Sequence, residues 1–177
     1  VDVTVSADHQ SEKRRIRRKG STVLQKDEDT VLSGGLSAMV STKLVPLNTL
    51  TGGFELYHDW VNSDTRTRDQ LTGLTTKNPP RGAFADDSTY RTFGLYLQDE
   101  FKPAEWLSLV GGLRFTHIRV DMNELDPVPG DGVDLAGFDK TYTDLSWDLH
   151  GNVRLPIPEI NLWAVAGISR GFRAPNI

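Results

Sequence analysis

The densest charge in the chain is Lys13-Arg14-Arg15-Ile16-Arg17-Arg18-Lys19. Guanidinium groups grip phosphates and carboxylates with two parallel hydrogen bonds, so Arg14, Arg15, Arg17 and Arg18 are candidates for clamping an anion. The plainer reading is a solvated loop, neutralised by Asp27-Glu28-Asp29 on the way back. Arg170, Phe172 and Arg173 form a second, smaller candidate group for ligand contact. Six acids (Asp121, Glu124, Asp126, Asp131, Asp134, Asp139) offer oxygen atoms of the kind Ca²⁺ takes. They lack the D-x-[DN]-x-[DN]-G spacing, and a solvated loop is the simpler account. Asp99 and Glu100 adjoin, but neighbours in a strand point to opposite faces, which excludes an acid/base pair. There is no cysteine, hence no disulfide and no thiolate metal site. No Ser-His-Asp arrangement falls on one face, and there is no phosphate loop and no metal-ligand spacing. We expect no enzyme, no metal and no cofactor.

The elements that must position these residues alternate oily and polar side chains with period two. Seven segments fit: Val1 to His9, Thr30 to Leu44, Thr49 to Ser63, Tyr90 to Phe101, Leu107 to Asp121, Thr141 to Leu155 and Asn161 to Gly171. In the fourth, Phe93, Leu95 and Leu97 oppose Thr92, Tyr96, Gln98 and Glu100, with Arg91 and Asp99 bracketing the oily side. The bracket spans about nine residues, close to the 9–11 of a tilted strand crossing a bilayer. The polar faces together predict an inward network of Glu55, Tyr57, Asp59, Tyr96, Gln98, Glu100, Arg114, Asp144, Asp148 and Arg154. In the seventh segment both faces are apolar enough to meet lipid, so its facing stays open. For the best hairpin, pairing Phe101 with Leu107 puts Leu97 opposite Gly111, Phe93 opposite Phe115, and the Tyr96 ring over Gly112. Trp60, Phe101, Trp106 and Phe115 stand where interfacial girdles would.

Three joints are tight (Val45-Pro46-Leu47-Asn48, Lys102-Pro103-Ala104-Glu105, Pro156-Ile157-Pro158-Glu159). Three are long and polar: Ser11 to Asp29, Asp64 to Thr89 and Asn123 to Lys140. Short turns at one rim and long loops at the other is the pattern of an outer-membrane barrel. Mean hydropathy of -0.39 looks soluble, but alternation hides a barrel's oil from any average. A net charge of -4 gives no reason to expect nucleic acid. No apolar run approaches the roughly 20 residues of a spanning helix, and there is no signal peptide. The chain of 177 residues reads as one domain, 1–177, cut from inside a longer protein. A soluble β-sandwich that binds glycans or another ligand also alternates, and is the rival reading. Two features oppose it. The strands run to roughly 13–15 residues where globular strands cluster near 5–6, and the polar faces carry full charges at mid-strand.

Several pieces match one family. Tyr96-Leu97-Gln98-Asp99-Glu100-Phe101, a short turn, then Gly112-Leu113-Arg114-Phe115 resembles the Y-x-Q-D-E…G-L-R-Y hairpin of TonB-dependent outer-membrane receptors. Gly53-Phe54-Glu55-Leu56-Tyr57-His58-Asp59 is similar to their G-x-E-x-Y-x-D strand, and Ser169 to Asn176 to their S-x-G-F-R-A-P motif. The resemblance implies an all-β transmembrane barrel of roughly 22 strands around an N-terminal plug. This chain would supply about seven long antiparallel strands as an open curved sheet, an incomplete barrel without the plug. It implies a Gram-negative outer-membrane location, contact with membrane lipid and lipopolysaccharide, and energy from the TonB complex through the absent plug. The cargo would be scarce: a ferric siderophore, haem, cobalamin or a glycan. If the tight turns are periplasmic, the basic run is extracellular and could hold lipopolysaccharide phosphates or an anionic ligand. Haem gains little from the four histidines. His58 and His117 fall on the oily parity, His150 on the lumen parity and His9 at a strand end, so they do not converge.

Overall fold

A computed structural model describes residues 1–78, 87–122, 137–157 and 159–173. The acid-rich stretch from Glu124 to Asp134 and the Ala174 to Asn176 part of the S-x-G-F-R-A-P motif lie outside the described residues. The described chain forms eight strands: β1 (Asp2–Ile16), β2 (Val23–Val45), β3 (Asn48–Asp69), β4 (Thr75–Asn78), β5 (Ser88–Ala104), β6 (Leu107–Met122), β7 (Phe138–Arg154) and β8 (Trp163–Arg170). They make one antiparallel sheet in the order β1-β2-β3-β5-β6-β7-β8, with β4 folded back onto β3. β1 and β8 are its edges. Among the described residues no helix is long and apolar enough to cross a membrane, which says nothing against crossing by strands.

The sheet is a single layer. Backbones of its strands come close only between hydrogen-bonded neighbours. Leu95, Leu97, Leu113 and Leu149 share the oily face and stay 49–54% exposed. A sandwich would bury that face under a second sheet, so the rival architecture is excluded for the described residues. The polar face is the more enclosed one. From Thr141 to His150 in β7 the odd positions are exposed and the even, polar-face positions half-buried, residue by residue. Side chains crowd together on the concave side of a bent sheet, so the polar face is the inside of the curve. The two apolar residues buried among the described ones, Ile118 and Val120, also lie on this inner face, beside their cross-strand neighbours Tyr142, Thr92, Tyr90 and Lys140.

Glycines sit where the concave face is tightest. A Cβ on Gly53 would come within 2.6 Å of the Tyr96 hydroxyl oxygen, and one on Gly35 equally close to the Tyr57 ring. Each tyrosine is the cross-strand partner of the glycine it covers. The expected covering of Gly112 by Tyr96 is therefore corrected. Tyr96 turns to β3, and the Asp148 carboxylate occupies the space at Gly112.

The β5–β6 register also differs from expectation. Phe101 pairs with Leu109, Leu97 with Leu113, Leu95 with Phe115 and Phe93 with His117. Both strands continue to a two-residue turn at Glu105-Trp106, where Ala104 faces Leu107 and a bulge follows Phe101. The slip is two residues, so every side chain keeps its face. Phe115 accordingly stands inside the apolar belt, edge-on to Phe93 with centroids 6.3 Å apart, and not in a girdle. The joint after β7 is not tight: the chain from Leu155 to Leu162 is closed by the Leu155 amide donating to the Leu162 carbonyl at 2.9 Å.

The described parts of two of the three long loops are largely strand. β1 runs to Ile16 and β2 begins at Val23, leaving a turn at Arg17 to Thr22, with Gly20 at φ 81. β3 runs on to Asp69 and β5 begins at Ser88. His9 is not at a strand end but mid-strand opposite Leu32. Charge complementarity explains the first extension: Lys13 pairs across the ladder with Glu28, and Arg14 with Asp27, at 2.7 and 2.9 Å. Opposite charges directly across a ladder stabilise strand pairing.

Candidate functional site

The inner face carries the ion-paired side chains near the middle of the sheet. Its centre is a three-strand staple. Glu55 on β3 and Arg114 on β6 are separated by β5, and between them lies Gly94. With no side chain in the way, the guanidinium crosses β5 and forks onto the carboxylate, Nη2 to Oε2 at 2.8 Å and Nη1 to Oε1 at 3.3 Å. A Cβ on Gly94 would lie 2.9 Å from Arg114 Nη2. Arg114 thus chooses Glu55. Glu100, the other inward acid near it in the sequence, instead binds Lys102 at 2.8 Å and accepts from Ser108 at 3.4 Å.

Toward the β8 edge, Asp144 receives Arg170 at 2.8 Å, with Ser146 donating to it at 3.4 Å. Arg170 also donates to the Leu145 carbonyl. Asp148 and His150, two apart on β7, lie 3.1 Å from each other. The predicted inward residues are thus brought into separate small clusters and not one continuous network. Asp59, Gln98 and Arg154 make no side-chain hydrogen bond or ion pair among the described residues, and neither do Phe172 and Arg173. The pairing Leu149–Ile168 and His150–Gly167 fixes the facing of β8: Ala164, Ala166 and Ile168 join the oily side, Trp163, Val165 and Ser169 the inner side.

The basic run does not form one clamp. Alternation sends Lys13 and Arg15 to the outer face and Arg14 to the inner face. There Arg14 donates from Nε (3.1 Å) and Nη2 (2.9 Å) to Asp27, which is 2% exposed. Gln25 (2.8 Å) and Thr65 (3.1 Å) donate to the other Asp27 oxygen, and Ser63 to Asp29. Arg17 donates to the Gln70 side chain at 3.1 Å, and Arg18 lies in the turn. Asp27 stands well beyond the apolar belt. Burial pushes its carboxyl up, but hydrogen bonds from Gln25, Arg14 and Thr65 outweigh burial and hold it below the usual carboxylate range. A group of residues that sequence reasoning missed sits on the outer face. His58, Arg91 and Arg119 are direct neighbours across β3, β5 and β6. The sequence held a signal for it: Arg91 ends the oily side of its strand, and basic residues end the same side on both neighbouring strands.

A one-layer sheet, oily and convex outside, charged and concave inside, with tight turns at one rim, is a transmembrane barrel wall. Residues 6–177 match the family described as TonB dependent receptor-like, beta-barrel. The chain belongs to that family, and its place is the outer membrane of a Gram-negative bacterium. Among solved structures it is similar to the copper transporter OprC, with a TM-score of 0.71 at 16% identity. That likeness covers 98% of this chain and 27% of the transporter, and at this identity it shows the fold alone. No curated protein sequence matches.

Proposed function

We propose that this sheet is a sector of the wall of a receptor that takes up a scarce small ligand and draws its energy from TonB through a plug. The carrying observation is the division of faces within a chain of this family: hydrocarbon-facing leucines outside, ion-paired side chains inside. The whole receptor would be a transporter and not an enzyme. The TonB contact belongs to the plug, and the cargo contact to the inner face with the loops above it.

The inner face favours some cargoes over others. Arg14 and Arg114 are both occupied by carboxylates. Asp8, Glu12, Asp59 and Asp148 add negative charge on the same face, which Lys140 and Arg154 offset only in part. This sector therefore suits a neutral or cationic ligand better than an anionic ferric siderophore, while haem, cobalamin and a glycan remain open. Among the described residues no three His, Cys, Asp or Glu side chains cluster as metal ligands. The described wall thus gives no reason to extend copper transport from OprC to this chain. The test is uptake by cells expressing the full-length receptor, offered labelled cobalamin, haem, an oligosaccharide, an anionic ferric siderophore and a copper complex. One cargo should accumulate, and only while the proton gradient is intact. Uptake that survives an uncoupler, or no uptake of any small ligand, would overturn the reading.

A further inference from the structure

On the concave face, level with the outer end of the apolar belt, one corner differs from the ion-paired wall below it. Asp59 on β3 is the direct cross-strand partner of Tyr90 on β5. On its other side Asp59 meets Ser33, and beyond Ser33 stands a second carboxylate, Asp8. Asp59 is half-buried and has no hydrogen bond or ion pair among the described residues. A half-buried carboxylate without a countercharge is costly, and a bound cation offsets that cost. Tyr90 pairs with Val120, and Tyr142 with Ile118, so the two rings stand on an apolar footing that holds them in place. One row below Asp59, the Tyr57 ring lies over the bare backbone of Gly35 and turns its other side to the lumen. The faces of aromatic rings attract cations. The wall already shows that contact once, with the Lys140 ammonium 5.2 Å from the centroid of Tyr142.

We propose that this corner is a subsite for an alkylated ammonium group on the cargo, with its charge against Asp59 and its alkyl groups against the rings of Tyr57 and Tyr90. The inference rests on the uptake reading and narrows the class of ligand carried. A carboxylate beside aromatic faces suits a weakly hydrated organic cation. A bare metal ion needs more ligands, and among the described residues no three His, Cys, Asp or Glu side chains gather to supply them. An anionic cargo would meet Asp59 and Asp8 together. Lys140 opposes the cation, but from farther off. Asp59 is one strand spacing from Tyr90, about 5 Å, and Lys140 is two, about 10 Å.

The experiment uses the purified full-length receptor in lipid nanodiscs and follows the broadening of the choline methyl signal by NMR. Comparison probes are the uncharged isostere of choline, with carbon in place of nitrogen, and glucose. Choline should bind at least about fivefold more tightly than its isostere, as expected when charge and ring faces act together. D59N should lose about fivefold for choline and nothing for the isostere. Y90L should weaken choline about threefold while Y90F keeps it, because the ring face and not the hydroxyl makes the contact. K140Q should tighten choline about twofold, which a purely structural role for Asp59 would not produce. Equal binding of choline and its isostere overturns the proposal. So does unchanged choline affinity in D59N, or displacement of choline by an equal concentration of glucose. If D59N fails to fold, the comparison of choline with its isostere on the wild type decides. Binding is read here without transport, so a failed subsite leaves the uptake reading standing, and a failed uptake assay leaves this result standing.

Discussion

At the scale of single residues, Asp27 is the most constrained group in the wall. It is almost fully buried at the outer end of the β1–β2 hairpin, and three side chains donate to it. Its carboxyl is held below the ordinary range, so the folded hairpin prefers the charged form. A lowered folded value gives stability that is present above the unfolded value and lost as pH falls through the folded one. Amide exchange in the outer parts of β1 and β2 should therefore accelerate below about pH 4. In D27N that acid-dependent loss should vanish, with faster exchange already at pH 7, by about 1–3 kcal/mol of local stability. A pH-independent wild type would show that Asp27 does not carry the hairpin. Gly94 illustrates the opposite kind of importance. It matters because it offers nothing, and so lets Arg114 reach Glu55 across a whole strand.

At the scale of elements, the register of β5 and β6 is a sharp claim. A cysteine pair at Leu97 and Leu113 sits directly across the ladder, where Cα separations of about 4.5–5.5 Å suit a disulfide. A pair at Leu97 and Gly111 is displaced by two residues and should not close. The protein has no cysteine of its own, so mild oxidation reads this cleanly. Efficient closure of the second pair and not the first would refute the register. Faces were legible in the sequence because parity survives any slip of two residues. Register was not, because the bulge after Phe101 is a property of the turn and leaves no mark in the alternation. The outer ends of β1, β2 and β3 resemble loop in the sequence because charged residues look solvated one strand at a time. The mirrored charges Lys13 with Glu28 and Arg14 with Asp27 held the information, and only pairing makes them meaningful. β8 needed its partner too: Ile168 faces out because Leu149 does.

At the scale of the whole molecule, the sheet holds itself together by neighbour pairing and local inner clusters, and leaves its oily side for another phase to cover. In β5 the oily stretch from Arg91 to Asp99 is eight steps, about 26 Å of strand. At a tilt of about 40° that is about 20 Å of height, near the apolar band of outer-membrane barrels. The row His58, Arg91, Arg119 closes the band above. Below, Asp99 accepts from the Asn48 side chain at 2.7 Å, and Leu50 and Gly111 flank it. Much of the family-level reading was available from residue order alone. The candidate site was less so, because Glu55 and Arg114 are 59 positions apart and meet only when β5 is laid between them.

The most direct test labels single cysteines with nitroxides along β5 and β6 of the full-length receptor in bilayers. Collision with oxygen, which concentrates in lipid, is compared with collision with a water-soluble nickel chelate. Labels at Leu95, Leu97 and Leu113 should meet oxygen, and labels at Tyr96, Gln98 and Gly112 should meet nickel, alternating residue by residue. The same alternation with the two reagents exchanged, or no alternation at all, would contradict the account.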